Sequence, residues 1–155
     1  MVDIYRFAAV RPGKNAAQEI ASVPYDVVTA PEAALCIREN PDSFLRVSRP
    51  DAELPDLAPD DERVYVRARE NFQQMLDSRR LERDGMPSLY IYRVVGPDIV
   101  YCGLACCLST SDYEENTIRK HELTRYDKEE DRTRHIDAVN AHTGPVVLLL
   151  SLIHI

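Results

Sequence analysis

The stretch Lys120–Leu150, KHELTRYDKEEDRTRHIDAVNAHTGPVVLLL, decides how this chain is read, because it sets three of the four histidines and a dense run of acids and arginines directly before an apolar tail. Drawn as a helix at about 100° per residue, Lys128–Asn140 places Asp131, Arg132 and His135 in the same sector as Val139, with Ile136 at its edge. Those two aliphatics are the only large apolar residues of the helix, so their sector is the inward face. The face meant for the core therefore carries ionisable groups. Burying such groups without partners costs several kcal/mol, roughly 2–7 even for neutral polar groups, so they need mutual pairing, a polar cavity or a ligand. A solvated, salt-bridged helix is the plainer alternative, since Glu129, Glu130, Arg134 and Asp137 belong to a wet surface.

Working outward, Thr143-Gly144-Pro145 reads as the stop of this helix, with glycine as the left-handed cap and proline preventing continuation. Val146–Leu150 has the composition of a buried strand, and Thr124-x-x-Asp127 offers an imperfect cap at the helix start. Upstream, Ser88–Val95 and Ile99–Ser109 form β-rich runs around Gly96-Pro97-Asp98, a hairpin whose second strand is expected to be covered on both faces. Val64, Ala68, Phe72, Met75 and Leu76 recur at helical spacing and predict a helix from about Glu62 to Leu81. Arg49–Asp61, rich in proline and acid, reads as a surface connection.

Towards the start, Ile4–Val10 reads as a short strand and Val23–Val28 as extended, because Val23 precedes a proline. Thr29-Ala30-Pro31-Glu32 fits a capping box opening a helix that stops at Asn40-Pro41. Phe44–Ser48 then reads as a strand. The expected class is mixed α/β (α+β), mostly β sheet, with one main sheet receiving the hairpin and the final strand and helices packed on it.

A length of 155 residues with 45% apolar and 29% charged content fits one globular domain with its own core. No apolar run reaches the roughly 18 residues needed to span a bilayer, and no basic leader precedes a long apolar stretch, so the cytoplasm is the expected location. The net charge of −7 argues against nucleic-acid binding through a broad basic surface. Cys36, Cys102, Cys106 and Cys107 show no C-x-x-C pair and are expected as reduced, packed thiols.

Several separated motifs carry a resemblance. VPYDV (Val23–Val27), NPDSFLRV (Asn40–Val47), YIYR (Tyr90–Arg93), KHELTRYDKEEDRTRH (Lys120–His135) and NAHTGPV (Asn140–Val146) together resemble the DUF1015 family of bacterial and archaeal proteins, from about Tyr5 to Leu150. Members are considerably longer, so the resemblance implies that 1–150 is the N-terminal part of such a domain, a truncated one. Ser151–Ile155 looks like the translated read-through of a sequencing adapter, a non-native tail. The chain departs from the family at His142, where a smaller amide residue is expected, and at the short Gly96-Pro97-Asp98 connection. Members often occur beside serine-biosynthesis genes, which implies a link to amino-acid or phosphate metabolism.

The residue chemistry supports three readings. In a phosphate- or nucleotide-handling enzyme, a phosphotransferase, Arg132, Arg125 and Lys120 hold anionic oxygens, while His121, Glu122, Asp131 and His135 are the catalytic candidates for moving a proton or aiding a divalent cation such as Mg²⁺. Tyr25, Asp26, Thr124, Asn140 and Thr143 are further ligand-binding candidates. The five glycines form no phosphate loop of the G-x-x-x-x-G-K-[ST] kind. In a metal-assisted hydrolase, His121, Glu122, Asp131 and His135 supply ligand types, but their spacing matches no zinc signature and no metal site is assigned. In a noncatalytic module, Tyr25, Asp26, Arg46 and the Lys120–His135 segment recognise a small anionic or phosphorylated ligand.

Overall fold

The computed structural model describes residues 2–120 and 125–149. Its centre is the predicted amphipathic helix, α4 (Glu62–Asp77), whose apolar stripe is buried at Val64, Tyr65, Ala68, Phe72 and Met75. Its start is fixed by Asp61, which accepts from the Arg63 backbone N–H at 3.0 Å and from the Arg63 guanidinium at 2.9 and 2.6 Å. Those bonds to Arg63 hold the carboxyl down to about 2, from an ordinary value of 3.8. A lowered folded-state pKa stabilises above the ordinary value, so the cap is at full strength above pH 3.8 and is lost as pH falls toward about 2. A carboxyl NMR titration is expected to show Asp61 with a midpoint near 2, and a midpoint at the ordinary value would show that the cap does not form.

Around α4 the chain builds two small cores. Ala16, Ile20, Val47, Ala68, Phe72, Met75, Leu81 and Val139 form one, and Ala33, Leu45 and Ala52 the other. Ile20 closes α1 (Ala17–Ile20), Ala33 lies in α2 (Ala30–Glu39), and Leu45 and Val47 in α3 (Leu45–Ser48). The predicted start of α2 is present: the Thr29 backbone N–H and hydroxyl donate to Glu32 at 2.8 and 2.7 Å, which holds the Glu32 carboxyl below its usual range. The helix ends at Glu39, with Asn40 as its cap, as the Asn-Pro pair predicts.

Other expectations are corrected. Phe44–Ser48 is not a strand but the turn of helix α3, because Val47 and Leu45 serve two different cores and helical backbone lets both side chains turn inward. Tyr25–Val27 is a 3₁₀ turn instead of extended chain; Val28 is extended. Within the proline-rich connection, Pro50–Glu53 is a second 3₁₀ turn that buries Pro50 and Ala52. α4 stops at Asp77, and Leu81 begins a strand that composition did not announce.

Among the described residues the strands form three separate antiparallel pairs in place of one main sheet. β1 (Ile4–Tyr5) pairs with β6 (Cys107–Leu108), and β2 (Val10–Pro12) with β3 (Leu81–Arg83). The Val10 pair runs on into Gly13, where an added Cβ would lie 2.5 Å from the Arg79 carbonyl oxygen, so only glycine fits that close approach. The expected hairpin is β4 (Tyr90–Val95) and β5 (Val100–Ala105), in register from Tyr90↔Ala105 to Val95↔Val100. The single long strand expected over Ile99–Ser109 breaks at Cys106, where the chain leaves β4 for β1.

Among the described residues nothing covers either face of the hairpin, contrary to expectation: Ile91, Tyr92, Val95, Tyr101 and Leu104 are all exposed. Two strands alone expose both faces, and only the base is anchored, where the Tyr90 hydroxyl accepts from the Ala9 N–H at 2.9 Å and lies 2.7 Å from Asp84. The cysteines are free, but Cys102 and Cys107 are exposed instead of packed. After a short helix α5 (Thr110–Glu114) comes α6 (Tyr126–Val139), laid against α4.

α6 is capped by Asn140, in left-handed backbone with φ 55°, and not by Gly144. Val146–Leu149 is exposed and lies in no strand, so the buried final strand is not formed there. Among the described residues no helix is long and apolar enough to cross a membrane. Ser151–Ile155 lies outside the described residues.

A candidate anion site at the corner of α6

The inward sector drawn for α6 is the one that packs: His135 and Val139 are buried, and Asp131 and Arg132 are half-buried beside them. One turn of helix separates Asp131 from His135, so their side chains leave the same face. Both oxygens of the Asp131 carboxylate are bonded, with three of about four acceptor sites in use. Its Oδ1 accepts from the Tyr65 hydroxyl at 2.9 Å, and its Oδ2 from Arg132 Nε and Nη2 at 3.0 and 2.7 Å. Burial, reinforced by the bond to Asp131, pushes the Tyr65 phenol up to about 12, so it stays a donor at neutral pH.

Arg132 is held on its flat side as well as its edge. Its guanidinium carbon lies 4.4 Å from the centre of the Tyr25 ring, a cation–π stack. Tyr25 is in turn fixed by Arg49, whose Nη1 donates to the Tyr25 carbonyl at 3.0 Å and to that of Val28. The Arg49 fork closes on Asp51 at 3.0 and 2.8 Å, and that pairing raises its pKa further. A second stack of the same kind lies alongside, Arg134 over Tyr65 at 4.4 Å, with Arg134 also donating to Glu62 at 2.9 Å. Two guanidinium planes are thus ordered at one corner. Among the described residues, Nη1 of Arg132 makes no hydrogen bond.

His135 sits behind this corner. It is 1% exposed, and its Nε2 lies 2.8 Å from the Val47 carbonyl, so Nε2–H is the donor and Nδ1 is left as an acceptor. Among the described residues that buried Nδ1 has no partner. Burial pushes the imidazole pKa down, against the bond to Val47, which keeps the ring neutral. In this position it orders α6 on α3 and has no open path to a ligand arriving from solvent.

The remaining candidates scatter. Asp26 is exposed in the Tyr25 turn, Arg125 turns back onto Asp127 at 3.1 and 2.6 Å, and Lys120 lies 4.6 Å over the Tyr113 ring. Asn140 stands nine residues beyond Asp131, about 14 Å along the axis at 1.5 Å per residue, and Thr143 follows in irregular chain. His121, Glu122 and Thr124 lie outside the described residues; the first helical cap is Arg125, which makes no side-chain cap bond. Among the described residues no three His, Cys, Asp or Glu side chains converge as a metal site. A groove of about 430 Å³ lies elsewhere, between Glu53–Leu57 and Arg63, Val66, Arg67 and Glu70 of α4, and neither Arg132 nor His135 lines it.

Sequence reasoning missed Tyr65 and Arg49. Tyr65 had a signal, since Tyr65, Ala68, Phe72 and Met75 share one stripe and a polar tip within such a stripe needs a partner. Arg49 had none for its role here, because the carbonyls that tie it to the Tyr25 turn lie more than twenty residues away, and its local pairing with Asp51 does not announce them.

With this geometry in place, comparison with protein families finds that the one described as "Protein of unknown function (DUF1015)" matches residues 4–152, nearly the whole chain. The chain belongs to the DUF1015 family. The resemblance read from the five separated motifs is therefore a membership. Searches among curated proteins and among solved structures find no match. Two of the five DUF1015-like motifs meet at the site: VPYDV supplies Tyr25, and the long charged motif supplies Asp131, Arg132 and His135. A third, NPDSFLRV, supplies the Val47 carbonyl that His135 rests on.

Proposed function

We propose that this chain handles a small phosphorylated ligand as a phosphotransferase, in the cytoplasm of a bacterium or archaeon, with Arg132 as the group that meets the phosphoryl oxygens. One observation carries the reading: Arg132 is fixed by the Tyr25 ring on its face and by Asp131 on one edge, with Nη1 still unengaged among the described residues. A guanidinium so ordered loses little further freedom when it binds an oxyanion. Arginine is the residue whose planar fork fits such oxygens. Asp131 is the remaining described candidate for proton transfer or for a Mg²⁺ ion, which is typically held through one or two carboxylates. The tie to amino-acid metabolism rests on the family's genomic company.

Thermal-shift and calorimetric titration of the chain with inorganic phosphate, ADP and ATP, each with magnesium, tests the grip; adding serine and looking for phosphoserine tests the chemistry. Arg132→Ala is expected to weaken binding about 10- to 100-fold, the worth of one charge-assisted hydrogen-bonded contact. Arg132→Lys should fall between, because an ammonium keeps the charge but loses the fork and the stack. Arg83→Ala, at the exposed end of β3, serves as the unaffected control. Binding without turnover would favour the noncatalytic anion module. No response to any of the three compounds would remove the anion reading altogether.

A further inference from the structure

We propose that His135 is a proton-sensitive latch: α6 stays docked on α3 and α4 while the imidazole is neutral, and protonation of that ring releases the helix. Few apolar side chains hold α6 in place. Along its fourteen residues only His135 and Val139 are buried, and Val139 is its only member of the main core. His135 is among the largest fully buried side chains of the molecule and the one on this helix. Beyond the ties of Asp131, Arg132 and Arg134 to Tyr65, Tyr25 and Glu62, the buried packing of the helix therefore rests largely on an ionisable group.

The surroundings of the ring suit only the neutral form. Nε2–H is used on the Val47 carbonyl at 2.8 Å, while Nδ1 is sealed with no partner among the described residues. Adding a proton at Nδ1 makes a second donor, aimed at no acceptor, and places a cation in a site without solvent. On α6 itself, Arg132 opposes that charge and Asp131 favours it. Asp131 is compromised as a counter-ion, being already shared by the Tyr65 hydroxyl from α4 and Arg132, with Arg49 nearby at the end of α3. The charged side chain of α3, Arg46, is directed to Glu53 and Asn71. No element packed here offers a spare carboxylate among the described residues.

The sign follows from linkage. A histidine whose folded-state pKa lies below its ordinary value of 6.5 binds its proton better when released, so docking is at full strength above pH 6.5 and weakens as pH falls below it. Release of α6 also takes Asp131 and Arg132 away from Tyr65 and Tyr25, so the corner comes apart with the latch.

The test compares wild type with His135→Gln by urea denaturation at pH 7.5, 6.5 and 5.5. Glutamine can donate to the Val47 carbonyl and does not titrate in this range. The wild-type denaturation midpoint is expected to drop toward pH 5.5 while that of His135→Gln changes less; parallel curves would overturn the proposal. Should His135→Gln not fold, amide exchange of the wild type decides. Loss of protection confined to α6 in step with titration of the His135 ring supports the latch, and a ring that titrates while α6 amides stay protected refutes it. Both arms read the helix and not a ligand, so their failure leaves the phosphate-binding proposal standing.

Discussion

Tyr65→Ala is expected to lower the unfolding free energy by about 3–5 kcal/mol, the range for large aromatic truncations in a core, read as a shift of the urea midpoint at constant slope. Tyr65 is 2% exposed at the centre of the α4 stripe and is the largest fully buried side chain. Truncation removes three things together: the buried ring, the platform under Arg134, and the hydroxyl on Asp131. Tyr65→Phe separates them. It keeps ring and stack and loses one bond to a carboxylate that Arg132 still holds, so about 1–2 kcal/mol is expected. The phenol adds a pH signature. Its folded-state pKa of about 12 exceeds the ordinary 10.0, so its contribution is complete below pH 10 and is lost as pH rises toward 12. Tyr65→Phe should flatten that alkaline slope, and a slope unchanged by the substitution would show that the phenol is neither sealed by burial nor bonded to Asp131 in solution.

Tyr65 also marks where sequence reading stopped. Helical periodicity located α4 and the inward face of α6, because both are set by side chains three and four apart, a distance over which composition speaks directly. The capping box at Thr29, the stop at Asn40 and the hairpin around Gly96-Pro97-Asp98 are equally local and equally legible. What failed was non-local. Phe44–Ser48 has the composition of a strand, but the competition between strand and helix was decided by two cores on opposite sides of it. Val146–Leu149 is apolar enough for a buried strand, but a strand exists only where another chain segment offers its backbone, and no periodicity reports that. The cap of α6 fell to Asn140 in place of Gly144, since asparagine also tolerates the left-handed region and stands at the position where the stripe ends.

For the candidate site the division is similar. The face of α6 bearing Asp131, Arg132 and His135 follows from one sequence, and so does the need of those groups for partners. The partners do not: Tyr25, Tyr65, and Val47 with Arg49 come from three distant places. Nor does the difference in fate between adjacent polar residues, with His135 sealed while Arg132 keeps one edge unengaged, since both point into the same sector. A quarter-turn of helix and the depth of the facing side chain decide it.

The second large loss is expected at Asn71, a residue that no functional reading singles out. Its side chain is 1% exposed and ties three segments together: Nδ2 donates to the Arg46 carbonyl at 2.8 Å and to Glu53 at 3.0 Å, and Oδ1 accepts from the Arg46 guanidinium at 3.0 Å. Arg46 and Glu53 are themselves paired at 2.7 Å and mostly shielded. Asn71→Ala leaves the buried Arg46 carbonyl without its donor, which costs about 1–3 kcal/mol, and takes one bond from each of two charges that still hold each other, so a total of about 2–4 kcal/mol is expected. Asn71→Asp should be worse at neutral pH, because the donor to Glu53 becomes a second carboxylate beside it, and should recover in part on acidification as one of the two takes up a proton. Arg67→Ala supplies the contrast on the same helix. Arg67 stands 3.8 Å from Glu53 and 3.5 Å from Glu70 on a wetter face, where an ion pair contributes about 0–1 kcal/mol. A small loss for Arg67→Ala beside a large one for Asn71→Ala means that the neutral amide, by satisfying every atom it touches, holds α3 and the Pro50–Glu53 turn onto α4 more firmly than the charges around it. Equal losses would instead make the Glu53 charge cluster the tie, with Asn71 as one contributor among several.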